Sequence, residues 1–292
     1  MGYNAPHFTD SSLTLFEYTM QRRTFIQLTA LAVLGTQVPG AWARVEPEKP
    51  LDHGVRDRLM KSRNFQQTFE DDVILPPGQQ AVMLGCLARL KRLQAYVGYG
   101  NFALLGFDRA LYLAKRVSRV GAFTKEELEF MEMTFHRKAE VYGFMGEKPM
   151  DSLTGKIVKR EIVKIPRTGN YLFRGKPRSV YRKICTQVGS DVVLTSGVRG
   201  MMKQFYLFLR KAKGSQGNLS MASRSLAPPG YSFHGVGDFD VGKKGYGIHN
   251  FTERFTETRV FQRLEDLGYI HFRYQRDNHL GVRFEPWHIE VT

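Results

Sequence analysis

The chain has 292 residues and 42% hydrophobic content, enough length and apolar material for one large domain or two ordinary ones, which excludes disorder as the default. Lysine and arginine number 43 against 28 aspartates and glutamates, and the resulting +15 draws the protein to anionic partners without choosing among nucleic acid, anionic lipid and an acidic cell envelope. Two cysteines, Cys86 and Cys185, are too few for a disulfide framework and too far apart for a CxxC redox or zinc motif, so they read as two free thiols, with a single disulfide as the alternative.

In chain order, Arg22-Arg23-Thr24-Phe25-Ile26 precedes an apolar run from Leu28 to Val38 and then Ala41-Trp42-Ala43. The run is shorter than the ~18 apolar residues that span a bilayer, and small residues at Ala41 and Ala43 suit signal-peptidase cleavage, so residues 1–43 read as an export signal. Paired arginines followed by Phe25 give it twin-arginine character, and Met20 is a candidate for the true start. Its removal takes away Asp10, Glu17, Arg22 and Arg23, two charges of each sign, so the mature chain keeps +15. No transmembrane helix is expected in that mature chain.

Residues 44–75 are polar and charged, with Pro47 and Pro50, and predict a linker or loosely packed arm. Pro76-Pro77-Gly78 punctuates the chain, after which Val82, Leu84, Leu87, Leu90, Leu93 and Val97 recur at helical spacing. A second helix is expected over Phe107–Val117. A third follows Thr124, which forms a capping box with Glu127 ahead of Leu128, Phe130, Met131 and Phe135. Residues 76–149 therefore form a helical region, as a small domain or an N-terminal elaboration, with Met131, Met133 and Met145 as core filler.

Beyond Pro149 the pattern turns to short β-like runs over Ile157–Ile165, Asn170–Phe173, Val192–Thr195, Tyr269–Tyr274 and Val282–Phe284. Two helices interrupt them. One follows Arg199 with Met202, Phe205, Tyr206 and Leu209; the other carries Val260, Phe261, Leu264 and Leu267 and stops at Gly268. The mixed order predicts an α+β fold over 150–292, preceded by the helical N-terminal region.

The chemistry concentrates near the C-terminus. Glu285-Pro286-Trp287-His288 places an acid three residues before a histidine, and about fifty residues upstream Gly230-Tyr231-Ser232-Phe233-His234-Gly235-Val236-Gly237-Asp238-Phe239-Asp240 puts a histidine and two carboxylates within seven residues. Two histidines and one carboxylate, with a fourth position left for water, make a catalytic zinc set. His53, His136, His249, His271 and His279 stand without such company and read as surface or satisfied core residues.

These two segments resemble those of the zinc D-alanyl-D-alanine carboxypeptidases and dipeptidases of the vancomycin-resistance type and of related phage cell-wall endopeptidases. Val193-Leu194-Thr195-Ser196-Gly197-Val198-Arg199-Gly200, with Gln204 five residues past the arginine, looks like the same family's strand, Ser-Gly-x-Arg turn and helix, and Leu264–Tyr274 looks like its helix, Gly-aromatic turn and strand. The resemblance covers about residues 180–292. It implies a mixed zinc peptidase domain with a small antiparallel sheet, acting on peptidoglycan stem peptides, most directly as a D,D-carboxypeptidase.

Carried over by position, it makes His234 and His288 zinc ligands, with Asp240 or Asp238 the third. The family aspartate stands seven residues past the first histidine, where this chain has Val241; Asp240 is preferred because an apolar residue follows it and a one-residue loop deletion near Gly237 restores the spacing. Glu285 is the implied proton carrier and Arg199 the implied partner of an oxyanion or substrate carboxylate. Ser232 and Gln204 are implied on the substrate side, and Trp287 is grouped with them although its expected part is packing beneath the metal.

Two other readings stand beside this one. The bond cut could be an L,D- or endopeptidase bond of the same stem, or the protein could be a non-catalytic basic envelope- or nucleic-acid-binding protein. Scattered basic residues, the absence of any nucleic-acid motif and the export signal argue against the last, so nucleic acid is not an expected partner.

Overall fold

The computed structural model describes residues 52–292. The export signal expected over 1–43, and the beginning of the linker, lie outside the described residues.

Asp52 accepts from the Gly54 amide and caps α1, His53–Arg63. The stretch after it is anchored: Asp72 pairs with Arg224 and accepts from Asn218, Leu75 is buried, and Ile74 bridges Asn218. Residues 52–75 are thus a capped helix and a pinned segment where the sequence predicts a linker. Polar composition hid this, because the segment is held by one buried ion pair and few apolar contacts.

Pro77 at the first helical position opens α2, Pro77–Val97, whose buried stripe runs Met83, Cys86, Leu87, Leu90, Leu93. Short α3, Tyr99–Phe102, and α4, Phe107–Arg116, follow. The Thr124–Glu127 capping box starts α5, Lys125–His136, and Glu127 also binds Arg89 of α2 with both carboxylate oxygens.

The C-terminal part contains a hairpin of β1, Ile162–Lys164, and β2, Tyr171–Phe173, then α6, Lys176–Val188, and β3, Val192–Ser196. After these come α7, Met201–Gly214, α8, Leu219–Ser223, β4, Phe239–Lys243, α9, Arg259–Asp266, β5, His271–Phe272, and β6, His288–Glu290. A four-stranded antiparallel sheet runs in the order β3-β4-β6-β5. The fold is α+β with small antiparallel sheets.

Several strands differ from expectation. Lys159–Glu161 is a 3-10 turn, which leaves only 162–164 to pair, and 269–274 pairs only over 271–272. Val282–Phe284 forms no ladder: Arg283 N–H donates to the Arg224 carbonyl and the Val282 carbonyl accepts from the Asn278 side chain. β4 and α6 went unread, β4 because Asp240 and Gly242 spoil its apolar pattern.

Two large cores stand out among the described residues. One joins Leu87, Leu90 and Leu93 of α2 and Phe130 and Met131 of α5 to Met202, Phe205 and Leu209 of α7, so the helical region and the chain after Arg199 bury one apolar mass. The other packs Ile184 of α6 and Phe261 and Leu264 of α9 against Leu194, Val241 and Ile289 of the sheet. Cys86 and Cys185 are both free. No helix among the described residues is long and apolar enough to cross a membrane.

Candidate metal centre

Three strand ends and a short turn meet at one end of the four-stranded sheet. Asp240 of β4 and His288 of β6 are direct partners across the antiparallel ladder. On the other side of β4 the register slips between Leu194 and Ser196, so a bulge sets Ser196 opposite Asp240 and starts the turn that leads through Gly197 to Arg199. His234 stands on the 3-10 turn Phe233–Gly235.

Close backbone approach fixes this turn. A Cβ on Gly197 would run into the carbonyl oxygen of Tyr171, and one on Gly235 would run into the Met150 sulfur. Held there, the Gly197 carbonyl lies 2.9 Å from His234 Nδ1. Nδ1 therefore carries the proton and donates it, and bare Nε2 faces Asp240.

His234 Nε2 is 3.2 Å and His288 Nδ1 3.5 Å from Asp240 Oδ1, and the three donor atoms all lie within 4.8 Å of one another. The two rings are 4.8 Å apart at 81°. His234 Nε2 and Asp240 Oδ1 are buried without a hydrogen-bond partner, an arrangement that is costly unless something else satisfies both. Two imidazole nitrogens and a carboxylate oxygen aimed at one point fit a divalent metal ion.

Asp238 stands apart from that point. Its Oδ2 accepts from His288 Nε2 at 3.0 Å and from Arg273, and Oδ1 accepts from Val291 N–H at 2.9 Å and from the Thr292 hydroxyl at 3.0 Å. The aspartate left as an alternative ligand instead orients the second histidine, turning its Nδ1 toward Asp240. Burial pushes the Asp238 carboxyl up, but the hydrogen bonds from His288 and Arg273 outweigh this and hold it well below the usual carboxylate range.

Burial opposes charge on Asp240 too, and the neighbouring His234 and Arg199 hold it well below the usual range. Burial and then the Arg199 charge push His234 below its ordinary value. His288 goes the other way: burial lowers it, and the hydrogen bond to Asp238 and the nearby Glu285 carboxylate raise it to about 9.

The surrounding residues divide by what they touch. Glu285 Oε2 is 3.7 Å from His288 Nδ1. Arg199 is half committed, since Nε donates to Ser196 Oγ at 2.9 Å and Nη2 pairs with Asp240, leaving Nη1 without a hydrogen bond among the described residues. Ser232 lines the same pocket. Gln204 lines that pocket too, and its amide is engaged: Nε2 donates to the Arg199 carbonyl and Oε1 accepts from Gly230 N–H, both at 2.9 Å, so it braces the two site loops against each other. Trp287 does not line the pocket; its ring is buried in the sheet's core against Phe251.

Sequence reasoning missed two polar residues of the pocket. Tyr274 sets its ring edge-on to His288 at 5.1 Å, and burial, reinforced by the Glu285 charge, pushes its phenol far up. Ser225 lines the pocket with a buried, unpartnered hydroxyl. Nothing in the sequence marked Ser225; Tyr274 ends the family-like Leu264–Tyr274 block, two residues past the strand that pairs with β6, and that place was the available signal.

A two-histidine, one-carboxylate centre on this α+β frame is that of a metallopeptidase. Residues 180–291 match the family model described as VanY, D-alanyl-D-alanine carboxypeptidase. No curated protein sequence matches the chain. Among solved structures, a vancomycin-resistance D,D-pentapeptidase VanY from a VanB-type cassette, in complex with Zn(II), is 24% identical over 45% of this chain and 78% of its own, with a TM-score of 0.37. The LdcB LD-carboxypeptidase is 17% identical over 50% of this chain and 66% of its own, TM-score 0.37. The D,D-dipeptidase VanXYg, in complex with a D-Ala-D-Ala phosphinate analogue, is 22% identical over 51% and 62%, TM-score 0.41.

Proposed function

We propose that the chain is a zinc-dependent D,D-carboxypeptidase that removes the terminal D-alanine of peptidoglycan stem peptides, outside the cytoplasm. The observation that carries this reading is the convergence of His234 Nε2, Asp240 Oδ1 and His288 Nδ1 in a pocket that Glu285, Arg199 and Ser232 also line. Zinc held by those three residues supplies Lewis acidity, lowering the pKa of a water from 15.7 to roughly 7.

The chain's own groups do the rest. Glu285, beside the donor cluster, takes the proton of the attacking water and delivers it to the leaving amine. Arg199 keeps Asp240 ionised through Nη2 and presents Nη1 to the developing oxyanion or to the substrate carboxylate. Ser232 offers a hydroxyl to the substrate. The family's description favours the D,D bond.

Digestion of purified muropeptides followed by mass analysis, with wild type beside Glu285→Ala, tests this reading. Release of one terminal alanine from pentapeptide stems, abolished by the substitution, is the expected result. Release from tetrapeptide stems or between stems would move the assignment to an L,D- or endopeptidase, and full activity in Glu285→Ala would remove Glu285 from its role.

A further inference from the structure

The helical region carries its positive charge unevenly. Between Pro77 and Phe123 there are seven bases, Arg89, Lys91, Arg92, Arg109, Lys115, Arg116 and Arg119, and one acid, Asp108. Arg89 is neutralised by Glu127. Arg109, Lys115, Arg116 and Arg119 are exposed and form no ion pair among the described residues.

Tyrosines hold several of these cations in place. The guanidiniums of Arg109 and Arg116 each lie 4.7 Å from the centre of the Tyr112 ring, and that of Arg119 lies 4.8 Å from the centre of Tyr96. Stacking on a ring orders an arginine while leaving its N–H edge free, which lowers the entropy lost when it grips an anion. Tyr96 and Arg109 also line a groove whose wall includes Leu104, Leu113 and Ile157 and whose rim includes the exposed Lys156 and Lys159, three bases against one acid, Asp108. Apolar wall and cationic rim together suit a peptide that alternates small apolar side chains with carboxylates.

This groove adjoins the turn that carries Arg199. Gly200 N–H donates to the Ala103 carbonyl and Met202 N–H to the Leu105 carbonyl, and a Cβ on Gly200 would meet Ala103, Ile157 and Leu104. From this continuity and charge we infer that the groove between α2, α4 and residues 154–159 is an exosite for the carboxylate-bearing peptides of the peptidoglycan network, gripping the wall beside the stem being cut. The inference rests on the wall-peptidase reading for the identity of the polyanion; the site itself rests on the cations and the groove.

The test compares the full chain with its R109E/K156E/K159E variant, all three residues exposed and outside the catalytic pocket. Sedimentation with purified insoluble sacculi gives the apparent Kd at low and high salt, and kcat/KM is measured on a short soluble peptide ending in D-Ala-D-Ala. The expected result is at least a tenfold weaker, less salt-sensitive association of the variant with sacculi, with kcat/KM on the soluble peptide changed by less than twofold. Equal sacculus binding by the two proteins overturns the exosite, as does competition by duplex DNA or anionic vesicles that exceeds competition by soluble muropeptides. If neither protein cuts the peptide while the variant still loses the wall, the D,D-carboxypeptidase reading fails and the exosite stands.

Discussion

Asp238 Oδ2 accepts a hydrogen bond from His288 Nε2 at 3.0 Å, so a carboxylate behind the second histidine decides which of its nitrogens faces Asp240. Partners of this kind fix the tautomer and raise the basicity of a ligating imidazole, and removing them costs roughly 10–100-fold in metal affinity. Asp238→Asn is expected to weaken zinc binding by about that factor while keeping the fold, measured by competition with a chromogenic chelator. Unchanged affinity would show that the ring is oriented by the ladder alone.

Gln204 is expected to act on stability before substrate binding. Gln204→Leu removes two buried hydrogen bonds and leaves the Arg199 carbonyl and Gly230 N–H unmet, a loss of about 2–4 kcal/mol. Denaturant unfolding reads the stability, and kinetics should show kcat falling with little change in KM. A raised KM at unchanged stability would instead put the amide on the substrate.

Gly197→Ala should be far more damaging than its size suggests. The added methyl must push the Ser196–Arg199 turn off Tyr171, which moves the carbonyl that holds His234. Zinc content of the purified variant is the readout, and a normal content with normal activity would refute the importance of that close approach.

The Asp72–Arg224 pair governs acid sensitivity. Burial pushes the Asp72 carboxyl up, and the hydrogen bonds from Arg224 and Asn218 outweigh this and lower it below its ordinary value. A carboxyl depressed in the folded state stabilises the fold above the ordinary carboxylate range, and that contribution disappears as pH falls through the depressed folded value. Asp72→Asn strands Arg224 and is expected to cost about 3–5 kcal/mol at neutral pH. Urea unfolding of wild type and variant should converge in acid; parallel curves at every pH would sink the assignment.

Much of the candidate site was legible because the chemistry sits in short contiguous motifs. His234, Asp240, His288 and Glu285 were readable from two segments, and the structure brings all four side chains to one place. What sequence could not supply was direction. Gln204 and Trp287 belong to the right motifs yet face a backbone brace and the core, and Asp238 looked like a rival ligand because spacing cannot show that it points behind His288. The helices were readable where apolar spacing and caps agreed, as at Thr124 and Glu127. Residues 52–75 were not, since a long-range ion pair and hydrogen bonds to residues 217–224 hold the segment and leave no periodic trace.

The shared core of α2, α5 and α7 means that a fragment restricted to residues 180–291 would not be a working minimal enzyme. Excising the helices before 150 would expose Met202, Phe205 and Leu209 on the helix that begins directly after Arg199 and Gly200. Helices α2 and α5 are therefore internal scaffolding for α7 and the turn before it, and a substitution at Leu90, in a part of the sequence that carries no catalytic motif, has a direct mechanical route to the zinc pocket.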